Sequence, residues 1–149
     1  MKNTTKELAI FIKMKCDEAY LRIIPVDGIK DLDVITTKVI QNPGYFAHYD
    51  KMLREVQYTI SLEKQQCAEL YSELYCYIKK DNSYAKPPSD GHVDKMINNN
   101  LKYQQQKRAI INLEHSENLL IGVLQGLFRQ LDSLKTSSHN MRSERTKII

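Results

Sequence analysis

A three-and-four repeat of apolar residues in the last third constrains this chain more than any other feature. From Ile110 it runs through Leu113, Glu117, Leu120, Leu124, Leu127, Leu131 and Leu134, and seven of these eight positions are apolar. That spacing keeps one side of a slightly underwound helix apolar and makes the seam of a left-handed coiled coil. Leu119, Ile121, Val123 and Phe128 fall between those positions, so the apolar surface is wider than one seam. A helix apolar on most sides is enclosed by several neighbours. The chain has few helices to supply them, so Ile110, Leu113, Leu120, Leu124, Leu127, Leu131 and Leu134 are read as an oligomerisation surface; the inner helix of a monomeric bundle is the alternative. Gly122 and Gly126 each cost about 1 kcal/mol of helix propensity relative to alanine. Close approach of another helix would account for both.

A second repeat precedes it. From Phe46 the same spacing gives Tyr49, Leu53, Val56, Ile60, Glu63, Cys67, Leu70, Leu74 and Tyr77, with nine of ten positions apolar or aromatic. Asn42-Pro43-Gly44 reads as a break, because proline biases the residue before it away from helical geometry. The long helix is therefore expected over 43–80. The stretch 81–91, with Pro87-Pro88 and Asp90-Gly91, reads as a loop in which Ser89 or Asp90 caps a final helix over 89–135. Helices joined this way lie antiparallel as an αα-hairpin.

The first 42 residues form an N-terminal helical segment. Thr4 and Glu7 make a capping box, and Leu8, Phe11, Ile12, Cys16, Ala19 and Ile23 follow at helical spacing, which predicts a helix from Thr5 to about Ile24. Pro25-Val26-Asp27-Gly28 predicts a turn, and Asp31 to Gln41 a short helix. Residues 136–149, together with Lys135 just before them, carry four basic residues against one acidic and little to bury. This tail is expected to be a mobile basic arm or a helix ordered only on assembly. The whole is one all-α domain: a long antiparallel αα-hairpin with an N-terminal helix, assembling through a C-terminal coiled-coil-like helix.

At 149 residues, 42% hydrophobic and 27% charged, the composition suits one helical domain. No long apolar run or signal-peptide pattern occurs, so a cytoplasmic protein without membrane contact is expected. Three cysteines with no CxxC are read as reduced core residues. No cofactor or metal is implied. Phosphate loops, GxGxxG, HExxH and a nucleophile elbow are all absent, so an enzyme is not expected. Asp31 and Asp33 could hold a metal for a nuclease, but acids at a helix N-terminal turn answer to the helix dipole.

The net charge of +4 allows an anionic partner. Between Asp94 and Glu114 lie Lys95, Lys102, Lys107 and Arg108, with Tyr103 and several Asn and Gln among them, and no acid. Such a segment offers donors to phosphates and an aromatic face to a base. Tyr71, Tyr75, Tyr77, Tyr84 and Tyr103 gather near the inferred loop end; tyrosines filling the hairpin seam are the plainer explanation.

The order Pro43, Tyr49, Leu53, Leu70, Tyr75, Tyr77, a loop, Leu101-Lys102, Lys107, Leu113-Glu114 and a leucine-rich C-terminal helix resembles the UvsY family of tailed-phage recombination mediators over roughly residues 31–135. The resemblance is one of spacing, without a catalytic motif. It implies a homo-oligomer, with a hexameric or heptameric ring as its form, in the cytoplasm of the host of a phage. Its partners would be single-stranded DNA, the single-strand-binding protein that coats it and a RecA-like recombinase. The family's basic Leu-Lys-Ala-Arg-Leu motif aligns with Leu70-Tyr71-Ser72-Glu73-Leu74, where Tyr71 and Glu73 replace the cations. The nucleic-acid contact is therefore expected at Lys79, Lys80, Lys86, Lys102, Tyr103, Lys107 and Arg108, with Tyr71 stacking. The competing expectation is a coiled-coil scaffold or assembly chaperone that binds protein alone.

Overall fold

A computed structural model of the chain describes residues 2–22, 32–81, 84 and 86–147, and the structural statements below concern these. Among them are four helices and no strand: α1 (Lys2–Arg22), α2 (Leu32–Lys80), α3 (Asp90–Asn99) and α4 (Leu101–Lys147). The turn expected at Pro25–Gly28 and the side chains of Asp31 and Asp33 lie outside the described residues. Thr4 sits inside α1, so it is not the N-cap.

α2 and α4 form the spine, 49 and 47 residues long, or about 70 Å each at ~1.5 Å per residue. They run antiparallel, because their partners ascend α4 as they descend α2. Tyr71 meets Tyr103 with ring centroids 6.0 Å apart. Lys64 pairs with Glu114 at 2.8 Å, Gln57 donates to Glu117 at 2.9 Å, and the Asn42 amide donates to the Leu127 carbonyl at 3.2 Å.

The core has two clusters along this spine. In one, Ile12, Cys16 and Ala19 of α1 close over Val56 and Ile60 of α2 and over Leu113, Leu120 and Leu127 of α4. In the other, Val93 and Ile97 of α3 meet Cys67 and Ile78 of α2 and Tyr103 and Ile110 of α4. Each half thus has its own third helix on the shared pair. A polar layer lies between them: Glu63 accepts hydrogen bonds from Thr5 and Gln106, and the neighbouring Lys64 pairs with Glu114. α1 runs antiparallel to α2, since Thr5 reaches Glu63 and the Lys15 carbonyl accepts from Tyr49. Further along α1, Tyr20 sits over Gly122; a Cβ there would lie 2.5 Å from its hydroxyl oxygen. That close approach accounts for this glycine.

Four expectations are corrected. First, the oligomerisation surface is core. Ile110, Leu113, Leu120, Leu124, Leu127 and Leu134 are buried within the single chain and Leu131 partly so; α1 and α2 supply the enclosing neighbours. Second, the helix begun at Leu32 does not break at Asn42-Pro43-Gly44. The buried Asn42 side chain donates to Leu127 O and to Gln130 Oε1, and Ile35 upstream is fully buried. Packing on α4 therefore outweighs the local preference for a turn. Third, the helix expected over 89–135 is two. Asn100 is extended, at φ −70° and ψ 126°, and its Oδ1 accepts from the Lys102 and Tyr103 amides at 3.0 and 3.2 Å, capping α4. Fourth, 136–147 continues α4 as helix rather than a mobile arm.

Strict three-four spacing also fails at particular positions. An α-helix drifts about 20° per heptad from a 3.5-residue repeat. Tyr77, the last position of the second repeat, is consequently 74% exposed and Ile78 is buried instead. Within α4, Ser116 and Gln130 are buried where Glu117 and Leu131 are only partly so. Ser116 donates to the Asn112 carbonyl, and Gln130 accepts from Asn42. Both buried polar groups have partners.

Candidate nucleic-acid interface

Three of the eight expected contact residues come together. Tyr71 of α2 and Tyr103 and Lys107 of α4 line one open groove of about 640 Å³ between these helices. Cys67, Ala68, Ile110 and Ile111 form its apolar lining, with Lys64 and Ser72 on the α2 side. The Lys107 ammonium lies 4.8 Å from the centre of the Tyr103 ring, within the range of a cation–π contact. It also donates to Asn98 Oδ1 at 3.4 Å. The groove therefore combines aromatic surface, aliphatic surface and two cations, and no acidic residue lines it.

Its edge nearest α3 is held by tyrosine–carboxylate bonds. The Tyr71 hydroxyl donates to Asp94, and this bond, followed by burial, pushes the phenol from its ordinary 10.0 up to about 12. Tyr75 lies along Tyr71 with ring centroids 6.3 Å apart and donates to Asp90 Oδ1 at 2.8 Å. Asp90 holds Lys79 at 2.7 Å. Lys79 and then Tyr75 keep the Asp90 carboxyl below its ordinary range, while Asp90 raises both partners. At the groove's other end Lys64 is raised by its bond to Glu114.

The remaining expected contacts are not in this groove. Lys79 is committed to Asp90 and to the Pro88 carbonyl, which accepts at 2.7 Å. Its charge is engaged in docking α3. Lys80 and Lys86 are exposed at the α2–α3 connection. Lys102, Lys107 and Arg108 do not form one stripe. At about 100° per residue they are separated in turn by about 140° and about 100° around α4, so only Lys107 faces the groove. Tyr84 lies against His92 at 6.3 Å, and Tyr77 points outward.

Sequence reasoning missed Lys64, Asp94 and Asp90. Lys64 stands on the opposite helix from the acid-free run, and only the antiparallel register brings it beside Lys107. Asp90 reads from sequence as a helix cap and Asp94 only as the edge of the acid-free run, although Asp90 and Asp94 lie one turn apart, as Tyr71 and Tyr75 do. That matched spacing was the available signal. Comparison with protein-family models, characterised proteins and solved structures finds no match to the chain. Among the described residues no helix is long and apolar enough to cross a membrane.

Proposed function

We propose that the chain is a single-stranded-DNA-binding recombination mediator, helping a RecA-like recombinase onto DNA coated by single-strand-binding protein. The observation that carries the DNA-binding part is the convergence of Tyr71, Tyr103 and Lys107 on one groove without an acidic lining. Aromatic faces stack bases regardless of sequence, and a nearby cation meets the backbone, which is the chemistry of single-strand binding. The mediator part rests on the resemblance to the UvsY family described above.

The test is fluorescence anisotropy with a labelled single-stranded oligonucleotide across a salt series. Binding should weaken steeply with salt through counterion release, and Lys107→Ala should lower the slope by about one. Absence of binding at low salt would end the reading. The mediator role is tested by recombinase loading onto strands coated by single-strand-binding protein, which should proceed faster with the chain than without it.

A protein-binding scaffold is the second reading. Ile10, Phe11 and Met14, each at least half exposed within about one turn of α1, favour it. Binding of protein partners with no affinity for oligonucleotide would select it.

A further inference from the structure

We propose that the groove between α2 and α4 is a base subsite, taking one unstacked nucleobase of a single strand with an adjacent phosphate at Lys107. This deepens the single-strand-binding reading and rests on it. The groove's ~640 Å³ falls within the ~300–1,000 Å³ of small-ligand clefts, ample for a planar heterocycle and part of its sugar. Its composition suits a base in particular. Tyr71 supplies a partly exposed π-face, Tyr103, 9% exposed, a second one that lies under the Lys107 ammonium, and Ile110 and Ile111 bury the base edge-on.

Charge limits how the strand runs. Asp94, bonded to Tyr71, guards the α3 end, and Glu114 neutralises Lys64 at the other. A backbone laid along the groove would meet both carboxylates. A base inserted from the side, with its phosphate over Lys107, meets neither. Stacking on Tyr103 displaces the ammonium from the ring and leaves it to the phosphate, so one lysine serves the free and bound states.

The experiment compares labelled oligothymidylate with a strand of equal length built from abasic residues, by anisotropy with the full chain. Both carry the same phosphates, so their salt slopes should agree. The abasic strand should bind about tenfold to a hundredfold more weakly, because it loses stacking. Equal affinity for the two strands would overturn the base subsite and leave single-strand binding intact. Failure of both to bind would remove the reading beneath it as well. A second variant occupies the groove without touching the tyrosines: Ala68 and Ser72 are exposed helical positions on its α2 wall. Ala68→Leu with Ser72→Leu should abolish the preference for the base-bearing strand while circular dichroism shows an unchanged helix content. A filled groove that keeps the full preference would place the base elsewhere and sink the proposal.

Discussion

The Tyr71 hydroxyl ties α3 to α2 while its ring walls the groove, so one side chain answers to two demands. Its raised pKa fixes the sign of a pH effect. The bond to Asp94 favours the protonated phenol, so its stabilisation is complete below the ordinary value of 10.0 and is lost as pH rises through about 12. Ultraviolet titration of the tyrosines should accordingly show a late step near 12 that disappears in Tyr71→Phe. A Tyr71→Phe chain with the late step intact would assign it to another tyrosine. Cys16 behaves similarly for a different reason: burial, then the neighbouring Asp17 charge, push its thiol up to about 11. Thiolate is the reactive form, so an alkylating reagent at neutral pH should label exposed Cys76 first and Cys16 only on unfolding. Rapid labelling of Cys16 in the folded chain would contradict its burial.

Among the elements, α2 shows where local rules yield. Pro43 lacks the N–H that would bond the Val39 carbonyl, and a proline in a helix interior costs about 3 kcal/mol. Pro43→Ala should therefore raise the melting temperature, since the helix already runs through this position and the residue is exposed. Asn42→Ala should lower it by the equivalent of about 1–3 kcal/mol, because the buried Gln130 oxygen loses a donor. Calorimetric melts of both variants check the pair; a lower melting temperature for Pro43→Ala would mean that proline helps α2 bend onto α4. The same elements show what was legible. The apolar periodicity of α1, α2 and α4 identified the long helices, because burial acts on every turn. Asn42 and Asn100 were misread because the decisive interactions are single side-chain bonds. At Asn42 that bond reaches α4, 85 residues away in sequence; at Asn100 it caps the following helix. For the groove, Tyr71, Tyr103 and Lys107 were legible as residue types, but their convergence depends on antiparallel register.

At the scale of the whole molecule, the C-terminal apolar stripe serves the chain's own fold. Leu127 is 4% exposed in the cluster with α1, whereas adjacent Phe128 is 57% exposed. Leu127→Asp would bury an uncompensated charge at a cost of several kcal/mol, a large share of the ~5–15 kcal/mol that holds a domain together. Circular dichroism should show this variant largely unfolded or melting far lower, with Phe128→Asp close to the parent. A folded Leu127→Asp chain whose only change is in sedimentation would return the residue to a subunit interface.

The polar layer between the two clusters has a consequence for the molecule's length. Glu63 and Lys64 hold α2 against α4 in one register, with α1 confined to one side of that layer and α3 to the other. One residue inserted in α2 between Ile60 and Cys67 would rotate the far half by about 100° and part its walls. Seven residues added at matching levels of both long helices would restore the facing to within about 20°. The rod could then grow in steps of about 10 Å, leaving its reach open to variation while its cross-section stays as it is.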